Sequence, residues 1–170
     1  MTFPTDTNIA YGYKTSYTYD TLSNLTGVNQ PIGSSGGQSR SFSYSSLSRL
    51  LSATNPESGT ISYQYDNNGN LTQKTDARNV TTTYGYDALN RVTERSYNDL
   101  ITKTVTYTYD DPAVSNSKGK LTKVTTGSSP AFSVTEYHAF DKMGRILQSR
   151  QLPTGQPLIR CITPTTYQAH

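Results

Sequence analysis

The sequence predicts an all-β fold in which tandem antiparallel β-hairpins form a curved, open sheet. Three observations predict it: a nine-residue phrase recurs, Tyr and Thr are abundant, and no window of useful length shows the period of an amphipathic helix. The phrase is clearest in YQYDNNGNL (63–71) and YGYDALNRV (84–92). Each reads aromatic, any residue, aromatic, Asp, two residues, Gly or Asn, a polar or basic residue, and an aliphatic.

The composition favours a polar β-structure. The chain has 170 residues, about one domain, of which 32% are hydrophobic and 16% charged, with no Trp but 14 Tyr. Tyr and Thr are typical of pleated, half-buried surfaces. We therefore expect tyrosine rings to take the place of many of the usual aliphatic side chains.

The phrase occurs six times, and we call its fourth residue the anchor. The copies are YTYDTLSNL (17–25), FSYSSLSRL (42–50), YQYDNNGNL (63–71), YGYDALNRV (84–92), YTYDDPAVSNSKGKL (107–121) and HAFDKMGRI (138–146). The anchors are therefore spaced by 25, 21, 21, 23 and 31 residues. In the fifth copy DPAVSN is inserted, which delays the aliphatic residue.

Each copy predicts a β-hairpin. Two aromatic residues two positions apart lie on one face of a strand. An Asp anchor accepts hydrogen bonds from the backbone ahead of it, and Gly69 and Gly144 suit the last corner of a type I turn followed by a left-handed bulge. Asn90 tolerates that conformation, whereas Ser23 and Ser48 do so less readily.

The predicted site residues are structural positions of the repeat. They are Tyr17, Tyr19, Asp20, Leu25, Tyr44, Leu50, Tyr63, Tyr65, Asp66, Gly69, Leu71, Tyr84, Tyr86, Asp87, Asn90, Val92, Tyr107, Tyr109, Asp110, Leu121, Phe140, Asp141, Gly144 and Ile146. An isolated hairpin is marginal in water, so neighbouring hairpins must pair or stack. Equivalent rings, from Tyr19 to Phe140, are then expected to form one ladder. Turn-rich links such as TNPESG (54–59) and TDARN (75–79) join the copies.

Several function classes have no support in the sequence. The net charge of +3 is small and the basic residues are scattered, which argues against a nucleic-acid surface. The lone Cys161 permits no internal disulfide, no apolar stretch approaches a membrane span, and the first 14 residues lack a signal-peptide pattern. We predict no catalytic, cofactor-binding or metal-binding residues, no cofactor, and no enzymatic activity.

Three alternatives to these structural roles are weaker. DNNGN at 66–70 resembles a calcium loop, but Leu71 and Ala77 stand where an EF-hand needs Gly and Glu. His138 near Asp141 suggests a catalytic dyad, yet His138 occupies an aromatic column of the repeat. Cys161 with His170 could form a nucleophile pair, but nothing in the sequence orients them.

The motifs YGYDALNRV, YQYDNNGNLTQKTD and FDKMGRI resemble the YD repeat, or Rhs repeat, of bacterial Rhs proteins, insecticidal toxin-complex subunits and teneurins. The resemblance covers about residues 11–150. It implies a hollow β-shell of which this chain forms part, in a family that is secreted or at the cell surface. In many bacterial members the shell encloses a C-terminal toxic domain that is secreted and delivered to other cells. The resemblance also implies that the wall of the shell is structural and carries no catalytic groups.

The expected function is a structural segment of such a wall, in a truncated fragment with no activity of its own. Its expected partners are the rest of the parent shell, or a second copy joined through open strand edges, and a toxin domain. The alternative is a carbohydrate- or cell-surface-binding module that uses the tyrosine-rich sheet face, because aromatic faces can stack on sugars.

Two domains are expected: a hairpin array over 1–150 and a non-repeat tail over 151–170. The tail segment LIRCITPTTYQAH (158–170) fits no repeat. One permitted coding of residues 159–170, read two bases later, gives Pro-Met-His-Tyr-Thr-Tyr-Asp-Leu-Ser-Gly-Thr, which contains a seventh copy of the phrase. The tail is therefore interpreted as a frameshift product or a disordered segment.

Overall fold

A computed structural model describes residues 14–32, 36–128 and 131–152 of the chain. All regular elements of this part are β-strands, so the predicted all-β class is confirmed. The chain divides into two compact units with the boundary between Thr81 and Thr82, one residue into the seventh strand.

The first unit contains six strands in its described part. They are β1 (Ser16–Tyr19), β2 (Leu25–Ile32), β3 (Gly36–Tyr44), β4 (Leu50–Asn55), β5 (Gly59–Tyr65) and β6 (Leu71–Thr75). Each strand pairs antiparallel with the next in the chain, from β1 with β2 to β5 with β6. The strand order in space is therefore the order in sequence, as expected for consecutive hairpins.

The second unit has the same organisation. Its strands are β7 (Thr81–Tyr86), β8 (Val92–Tyr97), β9 (Val105–Tyr109), β10 (Leu121–Ser128), β11 (Ala131–Phe140) and β12 (Ile146–Leu152). Every chain-consecutive pair from β7–β8 to β11–β12 is antiparallel. The insertion in the fifth copy lies between β9 and β10, where the sequence places it.

The repeated phrase fixes where strands end and begin. Its second aromatic residue is the last residue of every odd-numbered strand, and its aliphatic residue is the first residue of every even-numbered strand. The two are cross-strand partners in all six hairpins: Tyr19 with Leu25, Tyr44 with Leu50, Tyr65 with Leu71, Tyr86 with Val92, Tyr109 with Leu121, and Phe140 with Ile146. The register of each pair shifts beside this contact, as a β-bulge requires.

Alternation along β5 separates a more covered face from a solvated one. In β5 the side chains of Ile61, Tyr63 and Tyr65 are half-buried, while those of Thr60, Ser62 and Gln64 are exposed. Hydroxyl pairs support the polar face across strands: Thr54 Oγ1 lies 2.9 Å from Thr60 Oγ1, and Ser43 Oγ lies 2.7 Å from Ser52 Oγ. In this part of the sheet, Tyr rings cover one face and paired hydroxyls hydrogen-bond across strands on the other, where ordinary sheets have mainly aliphatic side chains.

The buried hydrophobic core is small. In the described part it consists of Ala53 in the first unit and Val105, Val134 and Phe140 in the second. Phe140 is the one position of the repeated phrase among these four residues. Its ring centroid lies 6.3 Å from that of Tyr137, at a tilt of 43°. With so little apolar burial, the hydrogen bonds of the turns become important for stability.

Left-handed backbone occurs at the predicted corner of each turn. The φ angles are 63° at Ser23, 57° at Ser48, 92° at Gly69, 59° at Asn90 and 80° at Gly144. Serine has a Cβ that disfavours this conformation, whereas glycine adopts it without a steric cost.

We expect Ser48→Gly to raise the free energy of unfolding by about 0.5–1 kcal/mol, because it relieves the Cβ clash of a left-handed residue. The matched control is Ser46→Gly in the same turn. Ser46 is exposed and does not have a positive φ, so glycine there only adds flexibility to the unfolded chain. Urea titrations of both variants measure the effect; an unfolding midpoint for Ser48→Gly at or below that of Ser46→Gly would contradict it.

Candidate functional site

The six YD turns form the candidate site; each runs from the anchor residue to the residue before the aliphatic. Two backbone hydrogen bonds close the turn, one donated and one accepted by the anchor residue. Asp66 N–H donates to the Asn70 carbonyl over 3.0 Å, and Gly69 N–H donates to the Asp66 carbonyl over 3.1 Å. The same two bonds, at 2.8–3.1 Å, occur in the turns that begin at Asp20, Ser45, Asp87 and Asp141. The backbone geometry therefore does not depend on a carboxylate at the anchor.

The anchor carboxylate adds a second layer of hydrogen bonds. One oxygen of Asp20 accepts from the backbone N–H groups of Leu22 and Asn24, both over 2.9 Å. Asp87 and Asp141 bind the equivalent two groups at 2.8–3.0 Å. In the second turn the Ser45 hydroxyl replaces the carboxylate, with longer bonds of 3.3 and 3.2 Å. A neutral, more distant acceptor gives a weaker version of the same turn.

The other carboxylate oxygen binds the side chain four residues after the anchor. Asn24 Nδ2 donates to Asp20, and Asn70 Nδ2 donates to Asp66, each over 2.9 Å. Arg91 Nε donates to Asp87 over 2.7 Å, and Arg145 pairs in the same way with Asp141. In these four turns the side chain four residues after the anchor therefore completes the hydrogen bonding of the anchor carboxylate.

These hydrogen bonds lower the pKa values of the aspartate anchors. The pKa values of Asp20 and Asp66 lie below 3.8, first because the Asn side chain four residues later donates to each carboxylate. For Asp87 and Asp141 the backbone N–H of the following Arg is the main cause of the lowered pKa. A general acid or base needs a pKa near the working pH, so these carboxylates suit structure rather than proton transfer.

Arginine side chains also link one hairpin to the next. In the first unit Arg49 Nη1 donates to the Asp66 carbonyl over 2.8 Å, and its guanidinium carbon lies 6.0 Å from the centre of the Tyr65 ring. In the second unit Arg91 Nη2 lies 2.7 Å from Asp110 Oδ2, and its guanidinium carbon is 4.3 Å from the centre of the Tyr109 ring. At Tyr65 and Tyr109 the contact is a cation over a ring, where the sequence predicted a ring-on-ring ladder.

Basic side chains occupy the space above the corner glycine of the following turn. A Cβ on Gly69 would lie 3.2 Å from Arg49 Nη2, and a Cβ on Gly144 would meet the end of the Lys120 side chain. Glycine therefore serves two purposes at these corners: it adopts the left-handed backbone, and it leaves room for the cation of the preceding hairpin.

The fifth turn keeps its closure despite the insertion. Asp110 N–H donates to the Lys120 carbonyl over 3.1 Å, and the Asp110 carboxylate accepts from Gly119 N–H. Asp110 itself has a left-handed φ of 57°. Within the inserted loop, Asn116 Nδ2 donates over 2.9 Å to the carbonyl of Phe140, the last residue of β11. The insertion is thus joined to the next hairpin.

The link TDARN (75–79), which the sequence predicts only as turn-rich, closes in the same way as the repeat turns. Asp76 N–H donates to the Val80 carbonyl over 3.0 Å, Asn79 N–H donates to the Asp76 carbonyl over 2.9 Å, and Asn79 has a φ of 61°. The segment lacks the two preceding aromatic residues by which the copies were found. An Asp followed by Asn at the third position was the available signal.

The sequence also suggested a dyad of His138 with Asp141 and a pair of Cys161 with His170. His138 Nε2 lies 3.3 Å from Glu136 Oε2, so its acidic partner in β11 is Glu136. No group of three or more His, Cys, Asp or Glu residues in these segments could hold a metal ion. Nor does this part of the chain form a helix of the length and apolarity needed to cross a membrane. Cys161 and His170 lie outside the described residues.

The double role of Arg91 leads to a pH-dependent prediction. Its side chain is 24% exposed and pairs with two carboxylates, whereas Arg145 is 75% exposed and pairs with Asp141. We expect Arg91→Ala to lower the urea midpoint at neutral pH clearly more than the matched control Arg145→Ala.

This difference should shrink on acidification. The pKa of Asp110 is lowered mainly by Arg91, and that of Asp87 is also lowered, so their contribution is fully present above the unfolded value of about 3.9. The contribution of these two carboxylates to the free energy of unfolding is lost as the pH falls through their lowered pKa values in the folded chain. Urea titrations of both variants over a pH series test this; equal midpoints at neutral pH would contradict it.

The comparisons with known proteins agree with this geometry. The RHS Repeat family model matches residues 44–81 and again residues 65–99, which overlap and include the second, third and fourth turns. No curated protein matches the chain. The predicted relationship to the YD-repeat, or Rhs-repeat, family is confirmed by this match, and residues 44–99 are RHS repeats of that family.

Proposed function

We propose that this chain is a wall segment of an Rhs-like β-shell whose parent type encapsulates and delivers a C-terminal toxin. The observation that carries the proposal is the register of the hairpins. In all six, the second aromatic residue pairs with the aliphatic residue across a bulge. A unit that closes in the same way each time can be extended indefinitely, which is what a wall requires.

The use of the charged groups supports a structural role. The RHS repeat is a structural repeat, and the carboxylates of its turns here bind backbone N–H groups and neighbouring Asn or Arg side chains. Their pKa values are lowered by these hydrogen bonds, so the carboxylates stay ionised further into the acidic range than an ordinary aspartate. The chain therefore contributes architecture, and the proposed toxin would carry the chemistry of the parent.

The unpaired edges of β1 and β12 suggest where partners bind. In the described part of the first unit β1 hydrogen-bonds only to β2, and all four residues of β1 are exposed, with Tyr17 at 56% and Tyr19 at 61%. In the second unit β12 likewise has β11 as its one described neighbour. An open strand edge pairs readily with another strand. We propose that further repeats of the parent shell, or a second copy of this chain, cover these edges.

We expect the purified chain to self-associate with increasing concentration, and Tyr17→Lys with Tyr19→Lys to weaken that association, because charge on an edge strand opposes pairing. Sedimentation velocity over a concentration series measures it. The matched control is Leu100→Lys with Ile101→Lys, which places the same charge on two residues that are 97% and 83% exposed in a loop.

Association that is equally weakened in the control would overturn the edge proposal. The alternative, a carbohydrate- or cell-surface-binding module, is favoured by the exposure of Tyr17 and Tyr19. A glycan array of the same two double variants separates the functions. Glycan binding that is lost only in the Tyr17 and Tyr19 variant, with association unchanged, would support the alternative.

We further propose that the chain is a truncated fragment of a longer Rhs-like gene, with the tail over 151–170 read in a shifted frame. Residues 153–170 lie outside the described part, so this proposal rests on the back-translated phrase alone. We expect the DNA at and beyond the codons for 159–170 to encode further YD phrases in another frame. Sequencing the locus decides it: downstream DNA without such phrases in any frame would refute the fragment proposal.

A further inference from the structure

The third YD turn contains the single Asn-Gly pair of the chain, Asn68–Gly69. The backbone nitrogen that follows an asparagine can attack the side-chain amide carbon, and glycine hinders this attack least because it has no Cβ. Asn68 lies at the exposed tip of the turn. We infer that Asn68 is a site of spontaneous deamidation, with water as the co-reactant, and that closure of the turn controls its rate.

The reaction balances without any other reagent. The Gly69 nitrogen forms a bond to Cγ of Asn68, the C–N bond of the amide breaks, and ammonia leaves with the proton from the Gly69 nitrogen. Water then opens the five-membered succinimide at either carbonyl. The product is aspartate, or isoaspartate with one additional methylene in the main chain.

The folded turn protects the pair by engaging the nucleophile. Gly69 N–H donates to the Asp66 carbonyl over 3.1 Å, so the nitrogen is held in a hydrogen bond that attack on Asn68 would have to break. Asp66 also binds Asn70 twice, through its backbone N–H and its side-chain amide, each over 2.9 Å. Reaction therefore requires the turn to open locally.

Arg49 holds the same turn from the neighbouring hairpin. Its Nη1 donates to the Asp66 carbonyl over 2.8 Å, and its Nη2 lies 3.2 Å from where a Cβ on Gly69 would be. The carbonyl that accepts from Gly69 is thus also bound by a cation of the preceding repeat. Opening the turn must break both contacts, so Arg49 is expected to slow the reaction.

The other YD turns lack an Asn-Gly pair, and in the fifth turn Lys118 precedes the corner Gly119. The residues before their left-handed corners are Leu22, Leu47 and Leu89 in three turns and Met143 in the sixth, and none of these side chains can form a succinimide. Reaction would destabilise the turn it occurs in, since either product places a new carboxylate two residues from that of Asp66, and isoaspartate also lengthens the backbone. Among the YD turns, the third is therefore the one in which we expect deamidation to be fastest.

Incubation of the purified full chain in mildly alkaline buffer made with ¹⁸O-water tests the site. We expect peptide mapping by mass spectrometry to find one labelled oxygen at position 68, and isoaspartate methyltransferase to detect the isoaspartate product. Asn68→Ser should abolish both signals. Label that never appears at position 68, even in the urea-unfolded chain, would overturn the site.

A second comparison tests control by the turn. Labelling should be slower in the folded chain than in urea, and Asp66→Ala and Arg49→Ala should each accelerate it about fivefold while circular dichroism shows a folded chain. Arg145→Ala, at the equivalent position of the sixth repeat, should leave the rate unchanged. A rate that is the same in all folded variants, or slower in Arg49→Ala, would overturn the proposed control.

Grafting the pair elsewhere keeps the inference testable if a variant of the third turn does not fold. Leu89→Asn combined with Asn90→Gly gives the fourth turn the same pair at the same corner. We expect new label at position 89 in the folded chain, more slowly than in urea. Labelling at equal rates in the folded and unfolded states would contradict protection by the turn.

Discussion

The fold depends on how the anchor residue of each turn is hydrogen-bonded. Its N–H and carbonyl close the turn through backbone bonds, and a carboxylate at this position accepts two further N–H groups ahead of it. A charged acceptor makes hydrogen bonds roughly twice as strong as a neutral one. The described part of the chain has four buried hydrophobic residues. Hydrogen bonds of this kind therefore have to contribute stability that a larger hydrophobic core would otherwise provide.

The same turn also links neighbouring hairpins within each unit. The residue four positions after the anchor binds its own anchor in several turns, and in Arg91 one side chain also reaches the anchor of the next hairpin. A planar guanidinium can do both and still stack on a tyrosine ring, which an ammonium group cannot do equally well. In this column Arg49 and Arg91 therefore connect their turns to the next hairpin, while Asn24 and Asn70 bind the carboxylates of their own anchors.

Much of the fold could be predicted because the spacing of the phrase and the residue types at its turn both indicate the same strand ends. Asp, a left-handed corner and an aliphatic residue at fixed spacing define both ends of two strands, and the structure ends and begins the strands at those residues. The link at Asp76 was predicted to be turn-rich, but not to close like a turn of the repeat, because the phrase was recognised by its aromatic residues, which play no part in closing a turn. The cation over Tyr65 or Tyr109 was not predicted either, since it depends on which side chain of one hairpin reaches the next.

The fifth turn shows what this construction permits. The loop from 111 to 119 is long, yet the strands on either side meet through the same pair, Tyr109 with Leu121, and through the same bond from the anchor N–H to the residue before the aliphatic. Closure lies at the base of the turn, so the tip is free to vary in length without shifting the phase of the array. Evolution could therefore place new sequence at this edge, and an engineer could display a foreign peptide there, while the hairpins beneath keep their alignment.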